Sequence, residues 1–174
     1  DLFEKVSYFI LEKEPTAAGY KQLGNIQYVK QKNYSKSLES YAKALELTEA
    51  TNAAEKGDIL VSMAKVSVTQ GNKIKARDYA KQSIALGQKQ SECYSLIGNL
   101  YMKSFNECVV NGDPVKSRSV YIAAYEMFKK AGNVSKMNAA KSQFPSMEDL
   151  FNQSKNVGDQ INTGCWVNET VTLD

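Results

Sequence analysis

Residues 57–90, GDILVSMAKVSVTQGNKIKARDYAKQSIALGQKQ, carry apolar and small side chains at helical spacing, pause, and carry them again. Leu60, Met63, Ala64, Ser67 and Val68 fall at i, i+3, i+4, i+7 and i+8, which places them on one face of a helix. Gln70-Gly71-Asn72 interrupts the pattern, because glycine adopts the left-handed backbone that closes a helix. A second run follows with Ile74, Ala76, Tyr79, Ala80, Ser83, Ile84 and Leu86, and its small residues allow two helices to approach closely. A pair of short amphipathic helices cannot bury its apolar faces alone, so the pattern predicts neighbouring copies.

Those copies are present. Tyr20 opens YKQLGNIQY on one side of this unit and Tyr94 opens YSLIGNLYM on the other, with Leu23-Gly24 and Ile97-Gly98 in the positions of Met63-Ala64. The first copy holds Tyr20, Leu23, Gly24, Tyr34, Ser37, Tyr41, Ala44 and Leu47 in register. The second holds Leu60, Met63, Ala64, Ala76, Ala80, Ser83 and Leu86. The third holds Tyr94, Ile97, Gly98 and Tyr101, then Tyr121, Ala124, Phe128, Ala131 and Val134. In these slots the chain resembles the tetratricopeptide repeat (TPR) family, with its unit of about 34 residues and its large residue, Leu-Gly and Tyr on one helix and Ala, Phe and Ala on the next. The resemblance implies an all-α fold, a right-handed helical-repeat solenoid of antiparallel helix pairs over residues 1–144. Its parts would be a partial repeat 1–15, repeats 17–50, 57–90 and 91–134, and a capping helix 134–144. A short helix and an extended or strand-like tail would fill 145–174.

The departures from the repeat predict the rest. Leu2–Lys13 is densely apolar and is followed by Pro15, so it reads as the back half of an earlier repeat, with more solenoid before it in the intact protein. An N-terminal capping helix is the alternative. The first repeat has one extra residue in its turn and a longer corner at Thr51-Asn52, where Asn52 is placed to cap the next helix. The third carries a surplus of about fourteen residues over the repeat unit, centred on 104–113, which either lengthens both helices or forms a protruding loop for a partner. Asp113-Pro114 then starts a long helix to about Ala131. In 134–144, Met137, Ala140 and Phe144 share one side while Lys136, Asn138 and Gln143 face the other. Ser146 and Asp149 match a capping box ahead of a short helix, Met147–Asn152. The tail alternates, with Cys165, Val167, Val171 and Leu173 on one side, and such a strand must pair or lie on the helices. Together with FPSMEDLF before it, this ending resembles the C-terminus of envelope repeat proteins of Bacteroidetes. That resemblance implies a periplasmic or outer-membrane-associated place in preference to the cytoplasm.

Composition narrows the chemistry. The net charge of +3 is spread along the helices, which fits a solvated surface and argues against nucleic acid as a partner. No apolar run approaches the ~20 residues that span a bilayer, so no membrane insertion is expected of this fragment. The absence of histidine removes the commonest general base, nucleophile partner and metal ligand. Cys93, Cys108 and Cys165 lack CxxC spacing, so no metal site is expected. Free thiols are the expected state, and a Cys108–Cys165 disulfide in an oxidising compartment is the alternative. No phosphate loop or other cofactor site is visible, and no catalytic activity is expected.

Binding remains. By the geometry the resemblance implies, the first helix of each pair lines a concave groove. Its residues would be Lys21, Asn25, Tyr28 and Val29, then Val61, Lys65, Val68 and Thr69, then Ser95, Asn99, Met102 and Lys103. Asparagine amides satisfy peptide N–H and C=O groups, and lysine attracts carboxylates. Lys21 and Asn25 sit where relatives clamp acidic chaperone tails, but Ser62, Glu92 and Leu96 replace the rest of that clamp. Two readings follow: a scaffold holding a peptide or partner protein in the groove, or a structural subunit of a bacterial cell-envelope assembly. The second would use the solenoid ends, the inserted loop and the tail around Cys165, Trp166 and Val167, with self-association through that tail.

Overall fold

A computed structural model describes the backbone from Leu2 to Asp174 and the side chains from Lys5 onward. The chain divides into two compact units, Asp1–Gln90 and Ser91–Asp174. That boundary lies inside the stretch that sequence pattern reads as one solenoid, and residues 145–174 belong to the second unit. Among the described residues no helix is long and apolar enough to cross a membrane.

The first unit consists of α1 (Leu2–Lys13), α2 (Ala17–Val29), α3 (Tyr34–Leu47), α4 (Ala53–Thr69) and α5 (Lys73–Ala85). Local chemistry sets the boundaries. Thr16, Asn33, Asn52 and Asn72 each accept a hydrogen bond from the backbone N–H three residues on, satisfying a donor that the helix start leaves open. Gly71, at φ 75°, turns α4 into α5, and the Asn72 N–H bonds the Ser67 carbonyl at 2.9 Å. The extra residue of the first pair shows in its turn, where the Asn33 N–H reaches the Gln27 carbonyl, one residue further back, at 2.8 Å.

The core gathers Leu11, Tyr20, Leu23, Tyr41, Ala44, Ile59, Met63 and Val66. Each large side chain among them contributes about 1.5–3 kcal/mol on burial. Gly24 lies under the Tyr41 ring, and a Cβ there would stand 2.9 Å from it. Helix α4 starts at Ala53, where Asn52 caps it as its place at the corner predicts. It also buries Ile59, Val61 and Val66 beyond the Leu60, Met63, Ala64 and Ser67 row, since α3 and α5 both pack on it. The ends of the apolar rows, Val68, Ile74 and Leu86, are exposed.

The second unit contains α6 (Gln90–Met102), a 3₁₀ turn (Phe105–Glu107), α7 (Pro114–Ala131), α8 (Val134–Lys141), α9 (Met147–Asn152), β1 (Gln160–Asn162) and β2 (Thr170–Thr172). Asp113 caps α7 with Pro114 in its first turn, and Ser146 and Asp149 form the capping box of α9. The Phe128 ring covers Gly98 as Tyr41 covers Gly24, and a Cβ on Gly98 would lie 2.6 Å from it. The inserted residues neither extend α6 nor stand free. Phe105 stacks on Tyr121 at 5.4 Å, Ser117 accepts the Val110 N–H at 2.9 Å, and Ser104 and Cys108 are buried.

The tail pairs with itself. β1 and β2 run antiparallel with Ile161 opposite Val171, and Val167, Val171 and Leu173 are buried while the hairpin packs on α7. Cys165 departs from the predicted buried side and is exposed, because positive φ at Gly164, Cys165 and Asn168 reverses the chain instead of extending it. A disulfide joins Cys165 to Cys108, with Cα atoms 5.4 Å apart, where thiols were expected, and Cys93 lies outside it, buried. Lys136 also departs from the expected outward face. Its flexible stem lets the ammonium lie over the Phe128 ring and bond Asn99 Oδ1 at 2.9 Å.

Candidate partner-binding faces

In the first unit, Lys21, Asn25 and Tyr28 follow each other at i, i+4 and i+7 along α2, and Lys65, Val68 and Thr69 share a face of α4. The structure brings these two rows together. Lys21 Nζ lies 2.9 Å from Glu55 Oε1 and 3.8 Å from Asp58 Oδ2, and the Tyr28 and Thr69 hydroxyls are 3.0 Å apart. The Tyr28 ring also packs on Tyr34 at 6.0 Å. Asp58 reaches a second cation, Lys89, at 3.1 Å. Lys21 is therefore charge-compensated, and its predicted role of attracting a foreign carboxylate is taken by Glu55 and Asp58.

Asn25 is exposed, and its side-chain carbonyl accepts the Tyr41 hydroxyl. Burial raises the Tyr41 pKa above its ordinary value. Lys65 and Val68 are exposed on the same face. Val61 is not: at 5% exposure it belongs to the core, because α4 is enclosed on more sides than a single apolar row requires.

In the second unit, Ser95, Asn99 and Met102 are half-buried on α6 and Lys103 is exposed. The Asn99 carbonyl is occupied by Lys136. Of the tail residues, Cys165 is exposed while Trp166 and Val167 pack on the unit. Trp166 meets Tyr101 edge-on at 5.6 Å, Val167 is buried, and the Tyr101 hydroxyl donates to Glu169 Oε1 at 2.7 Å. Cys165, Trp166 and Val167 thus fasten the hairpin to its own unit.

Sequence reading missed Glu55, Asp58, Lys89, Lys136 and Glu169 as partners. Repeat spacing carried no signal for the Lys21–Glu55 pair: in register Lys21 corresponds to Val61, and Glu55 stands in the first turn of α4, ahead of that position. Among the described residues no group of three or more His, Cys, Asp and Glu side chains gathers to hold a metal ion.

No protein-family profile matches the chain. It is 31% identical over 99 residues to the photosystem I assembly protein Ycf3 of Prochlorococcus marinus strain SARG, covering 57% of this chain and 56% of that protein. The Ycf3 protein of strain NATL1A is 27% identical over the same length, with the same coverage. The chain thus spans about half the length of the curated relatives it matches. Helix pairs with glycine under an aromatic ring, together with this likeness, fit a tetratricopeptide-repeat protein.

Proposed function

We propose that this chain is a non-catalytic protein-interaction scaffold that holds a peptide or partner protein against the faces of its first helices. The observation that carries this reading is the pairing of α2 with α4. Lys21–Glu55 and Tyr28–Thr69 tie the two helices side by side, so Asn25, Lys65 and Val68 stand on one face of rigid elements. That face offers an amide, a cation and an apolar contact, the combination that suits an extended peptide. Lys103 offers a cation of the same kind just past the end of α6. The name of the Ycf3 relatives, photosystem I assembly proteins, supports a role in bringing other proteins together. The test is charge reversal at Lys65 and Lys103, read as co-purified partner quantified by mass spectrometry. Partner binding should fall about tenfold and weaken further with salt. Unchanged binding would remove the lysines, and with them this face, from the function.

A second reading, a structural subunit of a cell-envelope assembly, is favoured by Val109 and Val110, exposed at 47% and 41% on the inserted segment. The Cys108–Cys165 disulfide supports an oxidising compartment such as the periplasm. Replacing Val109 and Val110 by Glu should abolish assembly while sparing binding at Lys65 if this reading holds. Retained assembly would exclude the insertion as the contact.

A further inference from the structure

The outer edge of β1 leaves its hydrogen-bonding groups open. At its two ends the Leu173 N–H bonds the Asp159 carbonyl and the Thr163 N–H bonds the Glu169 carbonyl, each at 2.9 or 2.8 Å. Bonded and non-bonded pairs alternate in an antiparallel ladder, so Ile161 and Val171 form the bonded pair between these ends. The N–H and C=O groups of Gln160 and Asn162 consequently point away from β2, and both residues are exposed. Among the described residues no hydrogen bond reaches either N–H.

A cavity of about 340 Å³ borders this edge. Gln160, Ile161 and Asn162 form one wall, and Asp113, Lys116 and Lys155 face them. The charge in it is unbalanced. Asp113 accepts the Lys116 backbone N–H at 2.7 Å as the cap of α7, and nearby Asp159 accepts the Asn156 N–H at 2.8 Å. Glu169 is bonded to Tyr101, and Asp174 pairs with Lys141 at the far end of the hairpin. Neither Lys116 nor Lys155 enters an ion pair among the described residues. The Lys116 stem is held toward the hairpin by Gly164, where an added Cβ would stand 3.4 Å from its Cε.

We propose that the free edge of β1 docks an extended acidic peptide, which adds a third strand and sets a carboxylate against Lys116 and Lys155. Main-chain bonds to Gln160 and Asn162 supply affinity that is indifferent to sequence, and the two lysines select carboxylates at alternate positions of the added strand. An unpaired strand edge is otherwise a hazard for indiscriminate pairing, and flanking lysines admit an acidic strand while repelling a basic one. This surface is separate from the α2–α4 face, and its loss would leave binding at Lys65 unchanged.

The test uses the intact, oxidised chain and a fluorescent peptide of alternating Glu and Val. The expected result is saturable binding with shifted, exchange-protected amides at Gln160 and Asn162 in NMR spectra. Combined K116E and K155E substitution should weaken binding at least about tenfold, and K116Q with K155Q should weaken it less. N-methylation of alternate peptide amides should abolish it, and K65E should leave it unchanged. The variants remove no hydrogen bond or ion pair made by these side chains, so the far-UV spectrum should be preserved. The proposal fails if the peptide does not bind, if a Lys-Val peptide binds equally, or if binding survives K116E with K155E. Amide shifts confined to α2 and α4 would likewise overturn it.

Discussion

Tyr41 lies over Gly24 in the first unit and Phe128 lies over Gly98 in the second, so both units pack a first helix under the ring of the next helix in the same way. What surrounds that contact differs. In the first unit the helix interface is laced by buried polar groups: Ser37 donates to the Gly24 carbonyl at 2.8 Å, and Ser40 donates to Gln27, which donates in turn to the Tyr8 hydroxyl. In the second unit the flank of α7 is covered by chain that does not repeat, a hairpin clipped by a disulfide and pinned through Tyr101. A helix pair thus needs a cover for its apolar flank. Another helix pair supplies it in one unit, and an irregular segment with covalent and aromatic fastening supplies it in the other. Among the described residues the outer side of α1 has no such cover, and Phe9 there is 61% exposed.

The strongest way to break the shared contact is to remove its ring. Phe128→Ala and Tyr41→Ala should each cost about 3–5 kcal/mol in chemical denaturation, because a fully buried aromatic leaves a cavity that the surroundings only partly fill. A much smaller loss at either site would mean that the two contacts are not equivalent. Removing the disulfide separates the units more sharply. Cys108→Ser with Cys165→Ser opens a closure of 57 residues and should cost roughly 2–4 kcal/mol. Hydrogen exchange should rise in β1, β2 and the inserted turn, with the first unit unaffected. Equal loosening in both units would contradict the hairpin's local role.

Smaller effects refine the comparison. Gly98→Ala should destabilise by about 1–3 kcal/mol despite the better helix propensity of alanine, since its Cβ meets the Phe128 ring. Gly24→Ala should cost less, as the approach to Tyr41 is looser. The Ser146 N–H bonded to Asp149 holds that carboxyl below its ordinary pKa. A depressed carboxyl adds stability above its unfolded pKa and loses it as pH falls through the folded value. Helix α9 should therefore fray in acid, by less than about 1 kcal/mol, and Asp149→Asn should remove that pH dependence. At the low end, Lys21→Ala should change stability by no more than about 1 kcal/mol, because its ion pairs are partly exposed.

Much of this architecture was legible because it is local. Asn33, Asn52, Asn72 and Asp113 mark helix starts through bonds that span three residues, and Gly71 marks a turn that its own φ requires. The Gly24 and Gly98 slots were legible because a repeat carries its packing in its spacing. What escaped depends on distant chain. The burial of Val61 follows from how many helices surround α4, and the inward turn of Lys136 from the nearness of Asn99. The choice between thiols and a disulfide rests on a hairpin whose reversal at Gly164, Cys165 and Asn168 interrupts the alternation that suggested one strand. On the α2–α4 face, the residues were legible and their availability was not, since Glu55 neutralises Lys21.

The most direct test of the scaffold reading places a photo-crosslinking side chain, one position at a time, at Asn25, Lys65, Val68 and Lys103, and at Lys43 and Lys75 on the second helices. Crosslinks to one partner protein from the first set, and none from the second, are the expected result. Crosslinks that arise only from the second set, or equally from both, would contradict a partner site on the first-helix faces.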